Sequence, residues 1–208
     1  MLEEEYDKTR RRLPAHLRRV ETERPFSYEI RPMQDGDIPD IREIYNHYVT
    51  NSVVTFDEKK WSLKQWRDKA AHLHKLGMPF LVAQSPSGQV LGYALVQPMS
   101  SKSAYRYSVE NSIYLDPGFH RRGIGSVLLE RLIRDCETRG FRQMIAVIGG
   151  SDHAPSIRLH ERAGFGMIGV FEGSGFKFGR WIDTVFMQMR LGDGRHSLPD
   201  EHRYPGTL

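Results

Sequence analysis

Six consecutive residues, Arg121-Arg122-Gly123-Ile124-Gly125-Ser126, set two arginines and two glycines at the mouth of an amphipathic run, and the chemistry this pattern suits is anion binding. Glycines let a backbone approach a ligand closely, the first N–H groups of a helix lack helical partners, and the helix dipole favours negative charge there. A pyrophosphate would fit such a place. The residues alone are equally compatible with a plain strand-to-helix turn, its glycines allowing tight packing and its arginines solvated. Spacing does exclude two nucleotide sites: no third glycine stands at the dinucleotide-fold position, and no Gly-Lys-Ser or Gly-Lys-Thr follows for a phosphate loop with magnesium.

A strand must deliver this loop and a helix must receive it. Over 108–115 the residues alternate, with Val109, Asn111, Ile113 and Leu115 on one face and Ser108, Glu110, Ser112 and Tyr114 on the other. One face can pack; the other can line a cleft. Asp116-Pro117-Gly118 ends that strand, and Ile124, Leu128, Leu132 and Cys136, with Leu129 and Ile133 beside them, form a helix stripe closed by Gly140. Upstream, a short strand at 27–33 precedes a helix that Asp37 can cap, carrying Ile38, Ile41, Ile44, Tyr45, Tyr48 and Val49 on one side. A second helix opens on the capping box Ser62 and Gln65 and stops at Gly77, and 80–83 with 90–96 reads as a hairpin. Downstream come a buried strand at 144–148 and a fourth helix with Pro155 in its first turn and Ser156, Leu159, His160 and Ala163 on one face. Two last strands, around 168–171 and 184–190, flank a glycine-rich loop over 173–183.

The 208 residues, 39% of them hydrophobic, suffice for one domain with a proper core. A charged extension, 1–26, precedes it, the domain covers 27–191, and a polar tail follows at 192–208. The formal charge of +4 arises from 30 basic and 26 acidic residues spread along the chain, which does not argue for nucleic acid; a polyanionic ligand explains a local basic patch equally well. The single cysteine, Cys136, rules out an internal disulfide, and core packing is its expected role. No metal is expected, since the histidines lack ligand spacing with a suitable third partner. No apolar run approaches a membrane span and the acidic start lacks the apolar core of a secretion signal, so the expected location is the cytoplasm.

The 121–126 segment, with His120 standing where Arg or Gln is usual, resembles the acyl-CoA motif Arg/Gln-x-x-Gly-x-Gly/Ala of the GNAT N-acetyltransferase superfamily. Over roughly residues 28–191 the chain resembles one branch, the phosphinothricin and methionine sulfoximine N-acetyltransferases. The ordered motifs are Ile44-Tyr45-Asn46-His47-Tyr48-Val49 with Thr55-Phe56, then Ala104-Tyr105-Arg106-Tyr107-Ser108-Val109-Glu110, then Ser156-Ile157-Arg158-Leu159-His160-Glu161, and finally 175–183. The resemblance implies the α/β (α+β) GNAT fold: a mixed, mostly antiparallel central sheet splayed at the cofactor site, flanked by about four helices, and commonly a homodimer. It implies acetyl-CoA as co-substrate. Ile113, Tyr114 and Leu115 would run beside the pantetheine arm, and Arg121, Arg122, Gly123, Ile124, Gly125 and Ser126 would hold the pyrophosphate. His153 stands where this branch usually carries a cofactor-contacting asparagine, with helix capping its plainer role.

An amine attacks a thioester only when unprotonated, so a base must take its proton, directly or through a water. By itself Glu110 reads as a surface strand residue in a cross-strand ion pair or as a base whose pKa burial would raise. The resemblance assigns it the base role. A backbone N–H near Ile113 would polarise the thioester carbonyl. His160 stands where this branch characteristically has histidine, either catalytic or a core histidine bonded to a backbone carbonyl. Phe56, Lys102, Tyr105, Lys177 and Trp181 are candidate substrate-wall residues. Of two basic positions common before the Ala-Tyr motif, one is Ser100 here and the other Lys102, so one anion-binding arm is missing and preference should weaken or shift. The expected activity is acetyl transfer to the amine of a small amino acid or analogue of the phosphinothricin or methionine sulfoximine type. Alternatives are a peptide N-terminus or polyamine as acceptor, or a non-catalytic acyl-CoA-binding module.

Overall fold

A computed structural model of the chain describes residues 26–200 and His202; the charged extension, apart from Phe26, lies outside them. Seven strands form one sheet in the order β1-β2-β3-β4-β5-β7-β6. They are β1 (Glu29–Pro32), β2 (Phe80–Gln84), β3 (Val90–Pro98), β4 (Ser108–Leu115), β5 (Gln143–Gly149), β6 (Gly166–Lys177) and β7 (Arg180–Arg190), and the helices are α1 (Ile38–Asn51), α2 (Leu63–Lys75), α3 (Ile124–Thr138) and α4 (Ala154–Arg162). Every neighbouring pair is antiparallel except β4 with β5. The fold is the mixed, mostly antiparallel α/β sheet with four helices that the resemblance implied.

Local sequence explains most of these boundaries. The apolar stripe of α3, Ile124, Leu128, Leu129, Leu132 and Cys136, is fully buried, and the helix packs across β1 to β4. Ser62 Oγ accepts from Gln65 N while Gln65 Oε1 accepts from Ser62 N, so the capping box forms and fixes the start of α2. An aromatic cluster fastens α1 and α2 to the sheet: Tyr45, Trp61, Trp66, Tyr93 and Tyr114 meet with ring centroids 5.2 to 5.7 Å apart, most of them edge to face. Such pairs contribute roughly 0.5–1.5 kcal/mol each beyond the area they bury.

Two local expectations are corrected. Asp37 does not cap α1: its carboxylate accepts from Arg31 Nη1 and Nη2 at 2.8 and 2.7 Å and from Gln34 N, in a short 3-10 turn before the helix. The bidentate guanidinium bond is stronger than a cap, and it ties β1 to the helix start. The loop expected over 173–183 is ladder instead, because β6 and β7 run into it and turn at Phe178 and Gly179, both with positive φ. A two-residue turn of that hand matches the twist of its strands. The first part of the polar tail is tied to the domain, Gly192 N–H donating to Glu137 and Arg142 Nη2 to the Leu198 carbonyl.

The register of β4 and β5 creates the functional opening. They pair in parallel only from Ser108 to Asn111 against 143–146, and beyond that point they diverge. Asp116 N donates to Leu91 O, so the even-numbered residues of β4 bond to β3 and the N–H of Ile113 points into the gap.

Candidate active site

Three connected spaces surround that divergence. A groove of about 690 Å³ follows the gap from β4 and β5 to the start of α3. It meets a cavity of about 180 Å³ around Glu110, the two sharing Val54, Ser112, Tyr114, Val147 and Gly149. An open cleft of about 680 Å³ adjoins the far side, sharing Trp61's neighbour Lys69 together with Gln97.

The groove is built for a polyanion at one end. Gly123 precedes α3 with φ 79° and Arg121 adopts φ 61°, turning the backbone so that the loop is concave. No side chain caps α3, so the N–H groups of Ile124 and Gly125, which have no helical partner, are free for a ligand. Arg121, Gly123, Ile124, Gly125 and Ser126 all line the groove, with Arg158 and Arg162 adding positive charge that sequence reasoning missed. Arg122 does not: its guanidinium lies over Phe26 and Phe119, 4.5 and 5.6 Å from the ring centres. At the other end Ile113, Tyr114 and Leu115 form one wall. An extended arm carrying a pyrophosphate therefore fits, and acetyl-CoA has this shape and charge.

Tyr48, on the apolar side of α1, also lines the groove. Its hydroxyl donates to Leu115 O at 2.5 Å and accepts from His120 Nε2 at 2.8 Å. Burial and nearby Asp116 push its pKa up to about 12. His153 is in the groove wall with its pKa lowered by burial, and its side chain makes no cap bond to α4. His160 lines the groove too, its Nδ1 2.9 Å from Ser156 O and its Nε2 3.1 Å from Asn111 Oδ1; both partners are acceptors, so the neutral ring donates to one of them. Burial lowers its pKa. The ring lies beside Asn111, which donates to Ile145 O at the point where β4 leaves β5. Asn111 itself had been assigned only to a packing face.

Glu110 is half-buried in the small cavity. Its Oε1 accepts a long hydrogen bond, 3.4 Å, from Gln97 Nε2. Burial raises its pKa, and the Gln97 bond and the charge of Lys69 oppose that rise. A carboxylate moved toward neutrality is suited to taking a proton.

The proposed substrate wall is only partly assembled. Phe56 lines the cavity, seated against Gly175, where a Cβ would come within 2.4 Å of its ring. Lys177 is buried and its ammonium donates to the carbonyls of Ser52 and Thr55 at 2.9 and 2.7 Å. It is a post under the 52–57 loop rather than a wall. Lys102, Tyr105 and Trp181 are exposed and line neither cavity nor cleft; Trp181 packs on Phe176 instead. Among the described residues no group of three His, Cys, Asp or Glu side chains could hold a metal ion, and no helix is long and apolar enough to cross a membrane.

Residues 38–165 match the model of the acetyltransferase (GNAT) family. The chain is 40% identical over 171 residues to a phosphinothricin N-acetyltransferase of Alcaligenes faecalis, a match covering 82% of this chain and 86% of that protein. It is 37% identical over 177 residues to an L-methionine sulfoximine/L-methionine sulfone acetyltransferase of Pseudomonas aeruginosa, covering 84% of this chain and all of the other. Among solved structures, a phosphinothricin acetyltransferase from Sinorhizobium meliloti in complex with acetyl-CoA superposes with a TM-score of 0.84 at 42% identity, over 87% of this chain and 97% of that one.

Proposed function

The chain belongs to the acetyltransferase (GNAT) family, an acetyl-CoA-dependent N-acetyltransferase, and from that premise we propose that it acetylates the α-amine of a small amino acid or analogue of the methionine sulfoximine and phosphinothricin type, with Glu110 as the base. The observation that carries this reading is the position of Glu110: a half-buried carboxylate in a small cavity that opens into the groove between β4 and β5.

Acetyl-CoA supplies the thioester. The chain's residues do the rest. Glycines and free N–H groups at 123–125 receive the pyrophosphate, and the two diverging strands hold the arm. The Ile113 N–H, directed into the gap, donates to the thioester oxygen as charge develops there. Glu110 takes the proton of the amine, directly or through one water, in a site where burial keeps its proton affinity above that of an ordinary carboxylate. Asn111 and His160 hold the gap open as positioning residues. The same family reading supports a homodimer and a cytoplasmic location.

Thiol release from acetyl-CoA, followed with methionine sulfoximine, phosphinothricin and a panel of amino acids and polyamines, tests the proposal. Turnover on an amino acid or analogue, falling about 10²- to 10⁴-fold in kcat for Glu110→Gln, is expected. Tight acetyl-CoA binding with no turnover on any of these amines would overturn it.

A further inference from the structure

The Glu110 cavity contains a second charged group with no role so far. Lys69 is the only basic residue among those lining it. It rises half-buried from α2, its Nζ donating to Gln97 Oε1 at 3.1 Å and standing 5.4 and 5.8 Å from the ring centres of Trp61 and Trp66, as a cation does. Gln97 donates in turn to Glu110 at 3.4 Å. One amide thus bridges an ammonium and a carboxylate, which can be no more than about 9 Å apart across it. Trp66 and Tyr93 line the same cavity, and their Nε1 and hydroxyl are fully buried with no hydrogen-bond partner within the described residues. Buried polar atoms are seldom left so.

An ammonium near one end and a carboxylate at the other complement a zwitterion. An α-amino acid carries its charges about 3 Å apart, and with a hydrogen bond at each end it spans about 9 Å. Volume points the same way. The cavity's 180 Å³, roughly six water volumes at about 30 Å³ each, takes the charged head and leaves little for a long side chain. Beyond Lys69 and Gln97, which line both spaces, lies the larger cleft, with Trp61, Leu73, Leu76 and Pro98 as apolar walls.

We propose that Lys69, beside the Trp61 and Trp66 rings, binds the acid group of the acceptor. The substrate is then an α-amino acid held as a zwitterion between Lys69 and Glu110, with its side chain in the Trp61–Pro98 cleft. This rests on the acetyl-transfer reading and sharpens it, since a carboxylate beside the amine becomes a requirement. Polyamines and peptide N-termini lack it.

The test compares kcat/KM for L-methionine sulfone with that for 3-(methylsulfonyl)propylamine, the same molecule without its carboxylate, in the wild type, Lys69→Met and Lys69→Arg. The wild type should prefer the amino acid about 10- to 100-fold, the range of one charge-assisted bond. Lys69→Met should bring that ratio near unity, chiefly through KM, and Lys69→Arg should recover part of it. An unchanged ratio, or a parallel loss of kcat on both substrates, would make Lys69 structural or catalytic and overturn the proposal. Should the wild type acetylate neither, the acetyl-transfer reading fails and the head-group site is judged by calorimetry. L-methionine sulfone is titrated into the otherwise wild-type protein saturated with CoA, with and without Lys69→Met. Binding weakened at least tenfold by the substitution supports the site. Absent or equal binding overturns it.

Discussion

At the scale of single residues, the site turns on one carboxylate and the charges that face it. Glu110 accepts from Gln97 and lies near Lys69, with Ser112 and Tyr114 in the same wall. Its folded pKa is raised, burial being the larger influence and Gln97 and Lys69 pulling the other way. A base must be unprotonated to work, so kcat/KM should be lost as pH falls through that raised value, at a higher pH than an ordinary carboxylate would give. Lys69→Met removes a positive charge that favours the ionised form, so the acidic limb should move to higher pH. In Glu110→Gln the limb should vanish, which separates it from titration of the substrate's own amine. A limb that stays in place in Lys69→Met would show that the two charges do not interact. Nothing in the primary structure singled out Lys69. It reads as one more cation on a polar helix face, and only the packing of α2 against Trp61 and the end of β3 brings it to Gln97.

At the scale of elements, the acceptor side depends on how the 52–57 loop is held. Lys177, at the end of β6, donates to two of its carbonyls, and Gly175 leaves room for Phe56. Gly149 matters in the same way from below, because a Cβ there would come within 2.3 Å of Val53 O. Lys177→Met strands two carbonyls and should cost about 1–3 kcal/mol, a fall in Tm of roughly 2–4 °C per kcal/mol for a chain of this size. KM for the acceptor should rise while acetyl-CoA affinity holds, because the groove shares none of those carbonyl contacts. Calorimetry and acceptor kinetics on one preparation check both. Gly175→Ala should displace Phe56 and reproduce the kinetic effect without the lost hydrogen bonds. Elements set by local rules were readable in advance: the capping box of α2, the alternating β4 and the stripe of α3 carry their own signals. The inner part of the β6–β7 hairpin was not, since the glycines of 173–183 read as loop until the Phe178-Gly179 turn and the ladder across it are known. The same limit applied to Lys177, whose partners lie about 120 residues away in sequence.

At the scale of the molecule, the sheet ends on an outer strand that is poorly suited to water. β6 is the last strand in the order, and its ribbon with β7 exposes Ile168 at 64%, Phe171 at 62% and Trp181 at 71%. Apolar side chains this large, grouped along an unprotected edge, mark a contact surface. We predict that a homodimer, if formed, uses this ribbon, and a stable one buries about 1,200–2,000 Å² in all. Analytical ultracentrifugation should then give twice the 24.1 kDa chain mass at micromolar concentration. Because β6 also carries the glycine that seats Phe56 and the lysine under the 52–57 loop, association should steady the acceptor cavity rather than the acetyl-CoA groove. The double variant Ile168→Glu with Phe171→Glu places charge in the proposed contact. It should sediment as a monomer, keep its acetyl-CoA affinity and lose acceptor kcat/KM. A wild-type monomer, or a double variant that remains dimeric, would move the interface elsewhere.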